Sequence, residues 1–530
     1  MSDSSVVNPR SGAAGFLVLL GAILVQLILG TVYGYSIFWQ PLTSDVFPPI
    51  VTQAEVEASD VAVAENATIV ADAAARDALL SSQRGYLAYA FSICILSFAL
   101  VMVIAGRVQD ITGPRVPAII GATLMGLGFL LAGLMESPIV FYIAHAAFAG
   151  GVTVILLLLF HVISERLGER TKPFAAAIER GIVVAAVVAG VVLGQRYVGQ
   201  QQELDKLFTL WGTIGFLAGA GIGFAYVCPI AALVKWFPQH KGLVSGVAVA
   251  GFGFGAYLFK GRTLGALGYI ERYGVQEFFL VHALVCFVGV TIGAMLLRNP
   301  PTSARPAAAK SVPDSTWQDT LHSPAFYTLW LMYFSSAMAG LMVIGIVKVF
   351  AGEQLVAAAG GPGLPHDQVA DLLARGAAAV GWLAIFNAVG RVVWGFVSDR
   401  IGRTSTFVAM FTFQAITMFV LGGLDTELSL AVGASLVGFN YGGSFSLFPS
   451  ATADLFGARN LGANYGWLFT SYGIAGVAGI AAGNTARTMT GSYAAAFAIA
   501  GVLCLISAGF ALLLVPLGKR EKARLAAFAR

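Results

Sequence analysis

An arginine stands inside an apolar run in the stretch NAVGRVVWGFVSDRIGR, residues 387–403. Arg391 follows an uncharged segment that begins after Arg375, and it precedes Asp399 by eight residues. Eight residues of helix rise about 12 Å, far enough to carry a guanidinium deep into a hydrocarbon layer. A buried guanidinium without a fixed acidic partner could bind a mobile carboxylate through two parallel hydrogen bonds. The alternative is a structural arginine that bonds helix carbonyls or extends to the membrane surface.

The chain around this arginine has the composition of a membrane protein. Of its 530 residues, 58% are hydrophobic and 11% are charged, with a mean hydropathy of +0.81. A soluble domain carries about 25% charged residues. The four cysteines fall inside apolar runs without Cys/His metal spacing, so no metal and no cofactor is predicted. The cysteines are Cys94, Cys228, Cys286 and Cys504.

Apolar runs of about 20 residues recur along the whole chain, and each is long enough to cross a bilayer as a helix. We predict fourteen spans, at 14–40, 84–105, 116–136, 138–163, 174–198, 208–234, 242–260, 276–297, 324–350, 374–397, 404–423, 428–450, 462–486 and 491–517. An even number of spans puts both termini on one side. Arginine and lysine concentrate in the loops of that side, so the positive-inside rule predicts that both termini are cytoplasmic, in the plasma (inner) membrane.

The spans fall into two halves. Residues 1–298 form a predicted first half and 324–517 a second. A Pro/Ala/Ser-rich linker at 299–323 joins the halves, and 518–530 is a basic cytoplasmic tail. Loop 41–83 is acidic and lies on the external side, either as a small cap with a helical stretch near 66–80 or as a solvated tether.

Two loops repeat a pattern of Gly, three residues, Asp, two residues, Gly and a following Arg. The first contains Gly106, Asp110, Gly113 and Arg115, and the second contains Gly395, Asp399, Gly402 and Arg403. Glycines let helices approach at a tight turn, and the aspartate can bind the N-terminus of the next helix or a nearby arginine. A fainter pair matches VKWFPQHKGLVSG at 234–246 with ADLFGARNLGANYG at 453–466. Repeats of this kind predict a transporter with two related halves and gating loops.

These loops resemble the signature of the major facilitator superfamily. Four further stretches resemble its oxalate–formate antiporter family, namely GTVYGYSIFWQPL (30–42), GIGFAYVCPIAALVKWFPQHKGLVSGVAVAGFGFGA (221–256), GFNYGGSFSLFPSATADLFG (438–457) and NYGWLFTSYGIAGVAG (464–479). The resemblance covers most of 14–136 and 208–517. It implies an all-α fold of two six-helix halves. The chain departs from that family between core helices 3 and 4, where residues 138–198 supply two additional spans.

The resemblance implies that Arg391, in the eighth core helix, binds substrate. Where the oxalate transporter of that family has a second cation, a lysine in core helix 11, this chain has Tyr472. One cation balances one negative charge in a low-dielectric site, so we predict a monoanion such as formate or lactate rather than oxalate. Asn387 lies one helical turn before Arg391 and could orient it. The other predicted wall residues are aromatic, namely Tyr33, Tyr35, Tyr226, Tyr441 and Phe445.

The predicted function is secondary transport of a small carboxylate across a lipid bilayer by alternating access, as exchange or anion-dependent uniport. A proton-coupled symporter, an oxalate/formate antiporter and a transport-inactive membrane sensor remain alternatives. Protons are a possible second partner, and His282 is the one histidine in the predicted core spans. The spans contain no nucleophile–base set, so an enzyme is not predicted. No nucleic-acid partner is predicted, and the oligomeric state is left open.

Overall fold

The structure is a computed structural model that describes residues 9–58, 67–165, 202–259, 265–301 and 314–528, with single helical positions at 178, 181, 183 and 184. Within these ranges, nine helices are long and apolar enough to cross a membrane. The all-α membrane fold predicted from the sequence is therefore confirmed. The count of fourteen spans stays a prediction, because its fifth span, 174–198, lies almost wholly outside the described residues.

The helices of the first half lie within residues 9–296. They are α1 (Pro9–Leu29), α2 (Trp39–Val46), α3 (Gln53–Ala58), α4 (Ala73–Thr112), α5 (Arg115–Gly133), α6 (Pro138–Glu165), α7 (Gln202–Leu210), α8 (Gly219–Trp236), α9 (Lys241–Phe259), α10 (Ala266–Tyr273) and α11 (Val275–Leu296). A 3₁₀ segment, Gly30–Phe38, joins α1 to α2, and a π-helical segment, Trp211–Ala218, joins α7 to α8.

The second half follows the linker. Its elements are α12 (Trp317–Leu321), α13 (Pro324–Ala358), α14 (His366–Arg375), α15 (Ala377–Ile401), α16 (Arg403–Leu421), α17 (Glu427–Phe456), α18 (Leu461–Thr490) and α19 (Ala494–Phe528), with a 3₁₀ turn at Gly361–Gly363. Both α17 and α18 contain 30 residues, yet neither is among the nine helices that are long and apolar enough to cross a membrane by composition. Their serines, asparagines, tyrosines and glycines make them the natural walls of a polar path.

Loop 41–83 differs from its prediction. It holds α2, α3 and two three-residue strands, β1 (Ile50–Thr52) and β2 (Thr68–Val70), which pair in parallel. The predicted helical stretch near 66–80 is wrong over its first half, because the chain is extended in β2 and α4 begins at Ala73. The N-terminus of α4 is capped by Asp72, whose side chain accepts a hydrogen bond from the Ala75 amide at 2.8 Å.

The extra helix α6 packs on the outer part of the α7–α8 unit. A Cβ added at Gly212 would overlap the carbonyl oxygen of Ala144, so the two backbones are in direct contact. At the same end, the Lys206 ammonium donates to the Glu136 carboxylate at 3.0 Å, and this bond lowers the pKa of Glu136. α6 is therefore a peripheral helix attached to the first half, away from the seams between the halves.

The two halves meet along two seams, where α4 packs on α18 and α9 packs on α15. The start of α1 lies on the same face as the α8–α9 turn, since Gly15 is close to Phe237. The end of α19 borders that face through Gly518 and Leu455. We call this face, which carries the start of α1 and the end of α19, the terminal face, and the other the opposite face.

Candidate functional site

Arg391 lies on α15 and is fully buried, with 0% of its surface exposed. Its Nε donates to Oδ1 of Asn387 at 2.9 Å, one turn earlier on the same helix. One terminal nitrogen, Nη1, donates to the backbone carbonyl of Val249 on α9 at 2.6 Å. The other, Nη2, is buried without a hydrogen-bond partner among the described residues. Both partners are neutral, so these contacts orient the guanidinium and leave its charge uncompensated.

Aromatic rings restrict how an anion can approach this charge. The Arg391 Cζ lies 4.3 Å from the centre of the Phe445 ring and 5.6 Å from that of Phe252. Within the described ranges no carboxylate forms an ion pair with Arg391. A ring over a guanidinium face stabilises the cation and blocks that face. An anion therefore has to bind in the plane of the guanidinium, where Nη2 offers an unused donor.

Three tyrosine hydroxyls meet beside this site and join the two halves. Tyr33, from the 3₁₀ segment of the first half, is 2.6 Å from the hydroxyl of Tyr472 on α18 and 3.3 Å from that of Tyr441 on α17. Tyr441 in turn donates to Tyr472 at 3.2 Å. We call these residues the hydroxyl triad. Phe445 links the triad to Arg391, with its ring 5.1 Å from Tyr441 and 5.5 Å from Tyr472.

The helix positions put Arg391 and Tyr472 at the same depth. Arg391 precedes the end of α15 by ten residues and Tyr472 follows the start of α18 by eleven, so both lie about 15 Å from the terminal face. Tyr441 lies about 22 Å from the same face, at fifteen residues from the end of α17. Of the triad, Tyr441 thus lies nearer the opposite face than Arg391, and Tyr472 lies level with it.

Tyr226 completes the group from the first half. Its ring lies 5.4 Å from Phe252, in an edge contact, and its hydroxyl is buried without a partner among the described residues. Tyr226 and Arg391 therefore each present an unpaired polar atom beside Phe252. Tyr35 is set apart from this group, because its ring stacks on Phe91 and meets Phe38 edge-on within the first half.

Sequence reasoning missed several neighbours of the site. The rings of Phe98 and Phe469 lie 4.8 Å apart, and each also contacts Tyr226 and Tyr472. The carbonyl of Val249 carries no signal in its residue type, and aromatic rings are frequent throughout the chain. For Phe252 a signal did exist, because it lies within the quoted stretch 221–256.

The two repeated loops hold the halves together on the terminal face, and we call these contacts the gate. Asp110, at the end of α4, accepts hydrogen bonds from the backbone amides of Gly462 and Ala463 at 3.1 and 2.7 Å. Asp399, at the end of α15, accepts from Gly242 and Leu243 at 2.9 and 2.8 Å. Each carboxylate thus binds the N-terminus of a helix of the other half, where the helix dipole favours a negative charge. Neither helix is the next one in sequence, so the first of the two expectations is wrong. The second, a nearby arginine, is confirmed for Asp399, which pairs with Arg403 at 2.8 Å.

Glycines close both seams behind these carboxylates. A Cβ at Gly106 would overlap the carbonyl of Gly462, and a Cβ at Gly395 would overlap that of Gly242. The fainter sequence repeat therefore supplies the glycines that face the gating loops. Gly113 and Gly402 have φ angles of +84° and +86°, a conformation that favours glycine at the turn after each gating helix.

The two arms of the gate differ in their ion pairs. Arg403 pairs with Asp399 at 2.8 Å and with Asp454 at 2.8 Å, and Lys241 of the first half reaches Asp454 at 2.7 Å. In the other arm, Asp110 has one cation, Lys235, at 3.8 Å. Arg115, the counterpart of Arg403, donates its Nε to the carbonyl of Leu297 at 2.7 Å instead.

Comparisons with known proteins agree with this architecture. The family description "Major Facilitator Superfamily" matches residues 204–364 and 361–530, more than half of the chain. Relatives include the "Uncharacterized MFS-type transporter YhjX" of Escherichia coli (strain K12), 27% identical over 66% of this chain and 79% of that protein. The "Oxalate:formate antiporter" of Oxalobacter formigenes is 29% identical over 62% of this chain and 74% of its own length.

A third relative is the "Apicoplast pyruvate carrier 1" of Toxoplasma gondii, 29% identical over 54% of this chain and 61% of that protein. Among solved structures, the proton:xylose symporter XylE has a TM-score of 0.58 at 12% identity, covering 94% of this chain and 95% of its own. FucP in the outward conformation has a TM-score of 0.54 at 12% identity, covering 94% and 99%. The resemblance seen in the sequence is confirmed, and the chain belongs to the major facilitator superfamily of membrane transporters.

Proposed function

We propose that this protein is a secondary transporter of small monocarboxylates, with Arg391 as its anion-binding residue. One observation carries the proposal. A fully buried guanidinium has only neutral partners among the described residues and keeps Nη2 free of hydrogen bonds. A buried cation is costly in a bilayer, by at least about 2.5–3.5 kcal/mol. A mobile anion that binds in the guanidinium plane offsets this cost and forms charge-assisted hydrogen bonds.

The relatives support a carboxylate substrate. By name, one exchanges oxalate and formate, one carries pyruvate, and another, of Xenopus laevis, is "Monocarboxylate transporter 12". These substrates share a carboxylate group on a small skeleton. The identities of 23–29% leave the particular acid open, so the substrate has to be inferred from this chain's own residues.

The charge of the site favours a monoanion. Tyr472 is buried and bonded to the other hydroxyls of the triad, so it adds hydrogen-bonding capacity and no positive charge. Arg391 alone then balances one negative charge. A dianion such as oxalate would bring one uncompensated charge into a closed, low-dielectric site, which is strongly unfavourable. The triad is placed to bond a second oxygen of the substrate or to exclude water from it.

The transport cycle follows from the gate and the triad. The terminal face is closed by the paired aspartates and glycines, and Tyr441 of the triad lies between Arg391 and the opposite face. With an anion bound, the site is neutral. The gate and the triad can then open in turn as the two halves rock against each other. An empty site would carry a bare cation through the closed state, so exchange or anion-dependent uniport is favoured. We place the terminal face in the cytoplasm of a cell whose plasma membrane holds the protein.

Proton coupling has less support than anion binding at Arg391. His282 contacts Thr31 at 3.2 Å and Cys286 at 3.3 Å and packs between Phe129 and Phe278 in the first half. None of these contacts belongs to the Arg391 site. The proton-coupled alternative therefore depends on the sequence alone.

Counterflow of labelled acids in proteoliposomes tests the proposal. Vesicles loaded with unlabelled formate or lactate should accumulate labelled formate or lactate from outside. Vesicles loaded with oxalate should accumulate the least. Tyr472→Lys adds a second cation and should shift the preference toward oxalate by about tenfold, the effect of ~1.4 kcal/mol. Efficient oxalate exchange by the wild type would contradict the charge argument, whereas lack of any counterflow would favour the transport-inactive sensor.

A further inference from the structure

The short hydrogen bond between Arg391 and Val249 crosses from one half to the other. Arg391 belongs to α15 of the second half, and the accepting carbonyl belongs to α9 of the first half, at 2.6 Å. Both residues lie in the seam and are not part of the gate at the terminal face. The same guanidinium that is offered to substrate is thus also a bond between the two moving parts.

The two helices are tightly packed around this hydrogen bond. A Cβ at Gly246 would overlap the carbonyl oxygen of Arg391, and a Cβ at Gly253 would lie 3.2 Å from Oδ1 of Asn387. α9 and α15 therefore touch through backbone atoms at Gly246, on the terminal-face side of Val249, and through the Asn387 side chain at Gly253, on its other side. They cannot separate without breaking the bond from Nη1.

The second seam has a different character at this depth. There Gly466 packs on Met102, with a Cβ position 2.6 Å from the Met102 carbonyl, and Gly473 packs on Ala99. The contacts are apolar or backbone contacts, with no charged side chain of the described residues among them. Of the two seams, only the α9–α15 seam is held by the substrate-binding charge.

We propose that Arg391 is a latch between the halves that the bound anion releases. This inference rests on the proposed function and adds how binding is coupled to movement. A carboxylate competes with the Val249 carbonyl for the same guanidinium, because the carboxylate adds the attraction between opposite charges in a low-dielectric site to the hydrogen bond that a neutral carbonyl accepts. The anion either accepts the hydrogen bond from Nη1 in place of the Val249 carbonyl, or its negative charge offsets the positive charge that strengthens the bond to Val249. Either outcome loosens the seam.

The latch explains why an empty carrier stays closed toward the terminal face. Without an anion, Nη1 holds α9 against α15, and the gate aspartates remain on their helix N-termini. With an anion, the seam loses its buried bond, and only the gate at the surface opposes opening. Obligatory exchange follows, since the return of the empty carrier would have to break the latch unaided.

A cysteine at position 245 reports on the state of this seam. Ser245 is fully buried on α9, one turn nearer the terminal face than Val249. In lipid nanodiscs, the labelling rate of Ser245→Cys by a polar maleimide should be low without anion and should rise about fivefold with formate, an effect of ~1 kcal/mol. The four native cysteines are buried, and the protein without the reporter measures their background.

Arg391→Ala in the reporter background is the decisive variant. It should raise the anion-free labelling rate about fivefold or more and abolish the response to formate. Arg400→Ala is the matched control, because Arg400 is exposed on the same helix over Phe396 and lies outside the seam; its anion-free rate should stay within about twofold of the wild type. Arg391→Lys keeps a charged donor and should give an intermediate rate, which guards against a folding defect of the alanine variant.

The outcomes separate the latch from the binding site. Loss of formate counterflow in Arg391→Ala with an unchanged anion-free labelling rate would leave the proposed function standing and overturn the latch. A raised anion-free rate with intact counterflow would support the latch and contradict Arg391 as the anion site. An Arg400→Ala rate equal to that of Arg391→Ala would also overturn the latch, because the seam would then be responding to the loss of any arginine side chain on α15.

Discussion

The gate on the terminal face is built twice, whereas the anion site around Arg391 is built once. In the gate, Asp110 and Asp399 occupy equivalent places, and each binds two backbone amides of the other half. In the site, the cation comes from the second half alone, and the first half contributes tyrosines, Phe252 and a carbonyl. The contacts between the halves at the terminal face have kept their internal symmetry, and the proposed anion site has lost it.

The difference has a physical reason. Two halves that close on one face need equal and opposite contacts at both seams, and a repeated carboxylate–helix pair supplies them. A site for one small anion needs one positive charge, and a second cation at the related position would attract a dianion or remain unpaired. A substitution in one arm of the gate should therefore have a counterpart in the other arm that also impairs transport. A substitution in the site should have no such counterpart.

The largest effect is expected for Arg391→Ala. It removes the single positive charge at the site, and loss of one partner of a buried charged pair costs about 2–5 kcal/mol, so counterflow should fall by about 100-fold or more. Arg400→Ala is the matched control on the same helix, since Arg400 is exposed and lies over Phe396. Initial rates of formate counterflow in proteoliposomes measure both. Equal losses in the two variants would remove the distinction between site and surface.

The next largest effect is expected where the seams have no room for a side chain. Gly462→Ala and Gly242→Ala should each lower counterflow by about 10- to 100-fold, because overpacking costs about 1–3 kcal/mol and here opposes closure of the terminal face. Gly381→Ala on α15 has open space and should be nearly neutral. If only one of the two seam variants were impaired, the gate would not be the symmetric device described above.

A smaller and unequal effect is expected for the gate carboxylates. Asp399→Asn should reduce counterflow by about tenfold and Asp110→Asn by about threefold, within the range of hydrogen bonds to charged groups. The order follows from their partners, because Asp399 pairs with Arg403 at 2.8 Å and Asp110 has Lys235 at 3.8 Å. The same counterflow measurement decides the order, with immunoblotting of each variant in the vesicles as the control for insertion. A reversed order would show that the ion pairs do not set the strength of each arm.

The smallest effect is expected for Tyr472→Phe. It removes one hydroxyl of the triad and leaves the aromatic packing on Phe469 in place, so the KM for formate should rise by about threefold with little change in maximal rate. A full concentration series separates the two parameters. An unchanged KM together with a lowered maximal rate would make the triad a moving cover rather than a substrate contact.

Much of this architecture was predictable because its signals are local. Apolar runs reveal membrane helices, and Arg391 is conspicuous as a lone charge within such a run. The repeated loops identified Asp110 and Asp399 by their spacing. The partners of these groups could not be predicted from the same signals. Gly462 lies 352 residues from Asp110, Tyr472 lies 439 from Tyr33, and any residue type could supply the Val249 carbonyl.

Two local predictions met other limits. The helical stretch predicted near 66–80 came from its alanines, yet β2 forms there because residues 68–70 pair with β1, a contact that composition does not encode. Tyr35 has the same residue type as Tyr33 and lies in the same 3₁₀ segment, and both rings contact Phe91, yet only the Tyr33 hydroxyl reaches the second half. Residue types therefore indicate where the site lies, whereas the backbone conformation determines which of these residues belong to it.

The most direct measurement is the distance between a bound anion and the arginine. Solid-state NMR of the protein with ¹⁵N-labelled arginine and ¹³C-formate, in lipid, reports dipolar coupling between the formate carbon and guanidinium nitrogens. The account predicts a coupling that corresponds to about 4 Å or less, the range of a hydrogen-bonded carboxylate, and predicts its disappearance in Arg391→Lys. No coupling in the wild type, or an equal coupling in Arg391→Lys, would contradict the claim that Arg391 holds the transported anion.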